Sequence, residues 1–129
     1  FYAIEHNHTP LVQDLLNNGA DSNLGDENSC TPLHHACFYE NEEAAALLLN
    51  RKETNINTTT IKEKITPLSL AAQKGNTSLV KLLLNNNADP NKPDIDNVTP
   101  LHLACAYGHH EVATLLIENN AKINVPDNK

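Results

Sequence analysis

Short apolar clusters recur along this chain at a near-constant interval, with polar stretches between them. Leu79, Leu82 and Leu83 show the i, i+3, i+4 spacing of one helix face, and Val112, Leu115 and Leu116 repeat it. The pattern predicts helices at about 10–17, 42–50, 77–85 and 110–119. A shorter apolar segment precedes the last three. It opens with Thr-Pro-Leu at Thr31, Thr66 and Thr99, and runs to about Tyr39, Lys74 and Tyr107. Each threonine is an N-cap candidate, because its hydroxyl can accept from an exposed N–H of the first turn. The following proline suits the first helical position, where its missing N–H removes no bond. Gly75 and Gly108 supply a left-handed residue that stops this helix, and Asn7 takes the same slot. Glu40 fills it once more; glutamate is a poor left-handed residue, so that turn is expected to differ. The second helix of each unit stops at Gly19, Asn87 or Asn120. Polar stretches follow, "DSNLGDENS", "NTTTIKEK" and "DPNKPDIDN", in which Pro90 and Pro93 bar either helix from continuing.

The interval is a true internal repeat. Thr31 and Thr66 are 35 residues apart, Thr66 and Thr99 33. "GNTSLVKLLLNNNADPN" (Gly75 to Asn91) aligns without gaps to "GHHEVATLLIENNAKIN" (Gly108 to Asn124). The copy from Glu40 carries one extra residue before Asn57 and a second before Thr66. "NHTPLVQDLLNNGADSN" (Asn7 to Asn23) is a fourth copy, with Phe1 falling where His102 sits in the last. Neither helix of a unit is long enough to be stable alone in water. Each unit must bury its leucines against the next, so stability is expected to reside between units.

The period, the T-P-L-H-x-A signature ("TPLHHA", "TPLSLA", "TPLHLA") and "GADSN" together resemble the ankyrin-repeat family. The resemblance implies an all-α fold, an ankyrin-repeat solenoid of stacked helix-turn-helix pairs joined by β-hairpin-like long turns. It implies one array over 1–129: a partial repeat at about 1–25, then 26–60, 61–93 and 94–126, with 127–129 opening another. Departures from the pattern are Ser69 for the motif histidine, His35 for the second leucine, Asp14 for an outer leucine, and the two insertions near Asn57.

The same resemblance implies a protein–protein interaction module or scaffold, without catalysis, that holds a partner protein in a concave groove. The inner-helix ends and the variable turn tips would line it. The implied partner-binding residues are His6, Glu27, Asn28, Cys30, Phe38, Tyr39, Lys62, Glu63, Ile65, Gln73, Lys74, Ile95, Asp96, Val98, Ala106 and Tyr107. Five aromatics exist, and Phe38, Tyr39 and Tyr107 stand directly before a helix stop. Two readings stay open for them: exposed interface anchors, or rings half-buried against the neighbouring repeat.

Charge narrows the partners. Nine Lys+Arg against sixteen Asp+Glu give a formal net charge of −7, without the basic footprint a nucleic-acid binder needs. The longest apolar run, Ala44 to Leu49, is far short of a membrane span, and no signal peptide opens the chain. Methionine is absent, so Phe1 reads as an internal residue of a longer protein. Cys30, Cys37 and Cys105 have no framework spacing and read as free thiols of an intracellular protein, cytoplasmic or nuclear. Four glycosylation sequons point the other way and are discounted as chance in an asparagine-rich chain. The chain is expected to be monomeric.

Candidate chemistry is sparse. His34 and Cys37 are three apart on one helix, and His102 and Cys105 repeat the spacing. A catalytic dyad or a metal pair is one reading. The other makes the histidines structural hydrogen-bonders and the cysteines small buried residues, equivalent to Ala72. Two ligands per repeat fall short of a structural zinc site, and two repeats separate Cys37 from Cys105, too far for a disulfide. His8 and His109 read as structural turn residues, His6 and His110 as solvated. No phosphate loop, paired-acid site or nucleophile motif is present, no cofactor is expected, and Leu24-Gly25-Asp26 reads as a plain turn. A remaining alternative keeps the module and places catalysis elsewhere in a larger enzyme, with these repeats recruiting substrate.

Overall fold

The structure, a computed structural model, describes residues 1–123. The expected start of a further repeat at 127–129 and the end of the 94–126 unit lie outside them. Eight helices occupy the described residues, in four antiparallel pairs: α1 (Tyr2–Glu5) with α2 (Thr9–Asn17), α3 (Pro32–Phe38) with α4 (Glu42–Leu49), α5 (Pro67–Lys74) with α6 (Thr77–Asn85), and α7 (Pro100–Ala106) with α8 (His110–Glu118). Odd-numbered helices pack in one row and even-numbered helices in a second. The fold is all-α, and among the described residues there is no strand.

Each helix start follows the sequence logic. Thr66 Oγ1 accepts from Ser69 N–H at 3.1 Å, and Thr99 Oγ1 accepts from His102 N–H at 3.3 Å. The motif histidine reciprocates: Thr31 N–H donates to His34 Nδ1 at 3.0 Å, and Thr99 N–H to His102 Nδ1 at 2.9 Å. A ring that accepts at Nδ1 carries its proton on Nε2. His34 Nε2–H duly donates to Ile65 O, 31 residues on, at 2.9 Å. One side chain thus caps its own helix and ties it to the following repeat. Asn41 and Asn76 cap α4 and α6 through their side-chain oxygens.

Helix stops are left-handed as expected at Asn7, Gly75, Gly108, Gly19, Asn87 and Asn120. Glu40 also adopts φ +55°, so the turn after α3 keeps the common geometry rather than differing. Outer helices α2, α6 and α8 end with a backbone bond from Ala20 N to Leu15 O, Ala88 N to Leu83 O and Ala121 N to Leu116 O. In the second repeat the extra residue displaces that N–H, and Thr54 Oγ1 donates to Leu48 O at 2.6 Å in its place.

The core runs along the array. Each outer helix has one apolar face for the preceding repeat (Leu79 and Leu83; Val112 and Leu116) and one for the next (Val12 and Leu16; Val80 and Leu84), all buried. Where a neighbouring helix is missing among the described residues, the equivalent side chains are exposed: Leu11 and Leu15 at one end, Ile117 at the other. This corrects the expectation for Cys105. Cys37 and Ala72 are buried, covered by the following helix, whereas Cys105 of α7 is exposed.

Candidate functional site

The long turns are hairpin tips, and the first and the last are each built by one carboxylate. Asp26 O accepts from Ser29 N at 2.9 Å while Asp26 N donates to Cys30 O, and Asp94 does the same with Asn97 and Val98. Ser29 and Asn97 are left-handed, the pattern of a three-residue hairpin loop closed by a bulge. Asp26 Oδ1 also accepts from Asn28 N and Cys30 N, and Asp94 Oδ1 from Asp96 N and Val98 N. Against the opposing effect of burial, these two backbone bonds and the neighbouring His35 hold the Asp26 carboxyl below its ordinary range. Thr60 takes the role in the second tip, closing on Ile65 one residue later, so the second insertion lengthens this tip. Gly25 lies in the arm of the first tip rather than in a turn: a Cβ there would fall 2.7 Å from Ser29 Cα.

Neighbouring tips are laced together. Ile61 N donates to Asn28 O and Ile95 N to Glu63 O, both at 2.9 Å. The Asn28 amide also reaches Glu63 Oε2 at 3.3 Å. Farther from the tips, Asn23 clasps the next repeat by donating to Glu53 O and accepting from Asn55 N. Asn91 repeats the clasp on Asn120 and Lys122.

Tips and inner helices enclose a cleft. Of the sixteen sequence-predicted residues, Asn28, Cys30, Phe38, Tyr39, Glu63 and Ile65 line it together. Its other walls, His34, His35, Thr60 and Leu70, were not among those sixteen. Two of them carry a sequence signal: His34 is the motif histidine, and His35 departs from leucine. Phe38, Tyr39 and Tyr107 are 48%, 46% and 56% exposed, so each ring is half-buried and still presents about half of its surface. A ring stripe continues along the row. Phe1 lies 4.5 Å from His35, and His35 stacks on Tyr39. The Lys74 ammonium stands 4.4 Å over the Phe38 ring, and Gln73 donates to the Tyr107 hydroxyl at 3.1 Å.

The remaining predicted residues divide. Glu27, Lys62, Ile95 and Asp96 are exposed at the tips, and Ala106 is exposed at the end of α7. His6 is exposed but apart from the cleft, against Tyr2 and His8. Val98 is a correction: it is buried beneath its own tip, because the turn points its side chain into the array, and it offers no surface.

One carboxylate, Glu63, lines the cleft, and two more, Glu5 and Asp26, stand beside its wall residue His35. His35 lies 3.6 Å from Glu5 and 3.4 Å from Asp26, and its Nε2 is buried without a hydrogen bond. Among the described residues no lysine or arginine pairs with Glu5, Asp26 or Glu63. Burial and the charges of Asp26 and Glu63 together push the Cys30 thiol up.

The first His/Cys pair has other employment. Both His34 nitrogens are engaged, and burial pushes Cys37 up to about 12, which leaves no thiolate for nucleophilic chemistry. His109 Nε2 donates to Gln73 O at 2.9 Å, the structural role expected of it.

Comparison with known proteins places this architecture. The family described as ankyrin repeats (3 copies) matches residues 52–127, and a second ankyrin-repeat family (many copies) matches residues 1–49. An ankyrin repeat protein of fowlpox virus is 32% identical over 95 residues, 74% of this chain and 64% of that protein. The human ankyrin repeat and SOCS box protein 3 is 36% identical over 91 residues, 69% of this chain and 17% of that protein. The tyrosine-protein kinase HTK16 of Hydra vulgaris is 35% identical over 78 residues, 60% of this chain and 10% of that protein. The chain therefore spans less than two thirds of the length of these relatives. Repeats of this kind are generally non-catalytic protein–protein interaction modules. Among the described residues no helix is long and apolar enough to cross a membrane. The stacked pairs, the capping histidines and the family match agree, and the chain belongs to the ankyrin-repeat family.

Proposed function

We propose that this chain binds a partner protein through the face formed by its inner helices and hairpin tips, with no catalysis of its own. The stripe of exposed rings supports the reading: Phe38, Tyr39 and Tyr107 are about half exposed along one row of helices. Aromatic side chains anchor protein interfaces because they bury much area with few rotors. The chain acts as an intracellular monomer, in the cytoplasm or the nucleus.

The test begins with a pulldown on the purified chain, read by mass spectrometry, to name the partner. Tyr39→Ala and Tyr107→Ala should then weaken binding by about tenfold or more each, with the melting temperature nearly unchanged. A large loss of stability with no specific loss of binding would make the rings part of the packing and refute the reading. A second reading has these repeats recruit substrate for catalysis elsewhere in a longer polypeptide. The similarity to a segment of the Hydra tyrosine-protein kinase favours it, and a partner that is also phosphorylated by the intact parent protein would support it.

A further inference from the structure

We propose that the cleft between the tips at 26–30 and 60–65 seats an arginine-bearing segment of the partner protein, a refinement that rests on the reading above. Three observations meet there. The walls offer apolar and aromatic surface: Phe38 and Tyr39 are exposed, and Ile65 and Leu70 are partly so. The rim offers negative charge that has no lysine or arginine partner among the described residues. Glu63, which lines the cleft, accepts from the neutral Asn28 amide, and Glu5 and Asp26 stand beside the imidazole of the wall residue His35. Finally, the Phe38 ring already holds a cation, the Lys74 ammonium at 4.4 Å, so the ring suits one; the arginine would displace Lys74 or take the other face.

Arginine fits this combination better than any other side chain. Its stem covers apolar surface, its plane stacks on an aromatic ring, and its fork donates to two carboxylate oxygens at once. An acidic side chain would face the rim carboxylates, and like charge there opposes binding. Lys62 and Lys64 stand exposed on the second tip, and Lys74 is engaged on Phe38. None of the three neutralises the carboxylates named above.

The experiment is an amide NMR titration of the whole chain with three peptides, Gly-Ser-Leu-X-Leu-Ser-Gly, in which X is arginine, citrulline or glutamate. Citrulline keeps the shape of arginine without its charge. The arginine peptide should shift the amides of Asn28, Cys30, Glu63 and Ile65. It should bind at least tenfold more tightly than the citrulline peptide, with the glutamate peptide weaker still. Glu63→Gln should cut arginine-peptide affinity by about three- to tenfold and leave citrulline binding unchanged. Equal binding of arginine and citrulline, or an unmoved arginine affinity in Glu63→Gln, overturns the proposal. If all three peptides then bind alike and all fail with Phe38→Ala, the face remains a peptide site and only the charge assignment falls. No binding of the arginine peptide at millimolar concentration also overturns it, whereas the pulldown and the tyrosine variants judge the broader reading separately.

Discussion

Gly75 is the position where the inter-repeat geometry makes its sharpest demand. It combines φ +71° with the closest approach of a neighbouring side chain: an added Cβ would lie 2.4 Å from His109 Nδ1 and 2.7 Å from the same ring's Cγ. Gly108 has nearly the same backbone, φ +74°, but a Cβ there meets nothing within 4 Å. The two alanine variants therefore separate two effects. Gly108→Ala should lose only the left-handed preference, about 1–2 kcal/mol. Gly75→Ala should lose that and also force the His109 ring aside, breaking its 2.9 Å bond to Gln73 O, worth about 0.5–1.5 kcal/mol more. Urea denaturation followed by circular dichroism reads both. Adding His109→Asn to Gly75→Ala should close most of the gap, because asparagine fills this slot as an N-cap at Asn41 and Asn76 without a ring. Equal destabilisation by the two alanines, or a double variant no more stable than Gly75→Ala, would refute the argument that histidine reach dictates this glycine.

Other predictions follow from burial and charge. Leu83→Ala, at a fully buried position, should destabilise by about 2–5 kcal/mol in the same denaturation assay. Leu15→Ala, the repeat equivalent but 47% exposed, should lose no more than about 1 kcal/mol. Burial pushes the His34 pKa below its ordinary value near 6.5, so the unfolded chain takes up this proton first. Stability from His34 is complete above about pH 6.5 and falls as the solution is acidified toward the folded pKa. His34→Ser, which copies Ser69, should flatten the loss of stability between pH 7 and 5; an unchanged slope would show that another group carries it. Native-state alkylation should modify exposed Cys105 first and leave buried Cys37 untouched until denaturant unfolds the chain, as mass spectrometry of the modified peptides would show.

The helices were legible because their signals are local. Thr-Pro starts, glycine or asparagine stops and i, i+3, i+4 leucines each act within a turn or two, and the bounds of α3 to α8 follow them closely. Relations between repeats were less legible. Cys105 occupies the buried-cysteine slot, yet its exposure depends on whether a helix packs beyond α7. Val98 sits on a tip, yet the tip's own fold points it inward. The roles of Asp26, Asp94, Asn23 and Asn91 come from bonds to backbone groups that composition cannot locate. Much of the asparagine content becomes intelligible only here: it supplies left-handed stops, N-caps and clasps between repeats.

Four of the places where this array departs from its own pattern lie together. Glu40 holds a left-handed backbone that its repeat equivalents give to Gly75, Gly108 and Asn7, at about 1–2 kcal/mol. His35 stands where the other complete repeats have Leu70 and Leu103, and keeps a buried Nε2 without a hydrogen bond. The longer tip at 60–65 and the Phe38–Tyr39 pair complete the set. All four lie on the inner side of the second and third repeats, at or beside one cleft. Local strain and a half-buried imidazole between two carboxylates, gathered at one surface, support binding there, since packing alone would favour the pattern residue at each position. Glu40→Gly together with His35→Leu should therefore raise stability, by about 1 kcal/mol for the glycine alone, while weakening capture of the partner. A variant that gained stability and bound its partner unchanged would leave these departures without a function.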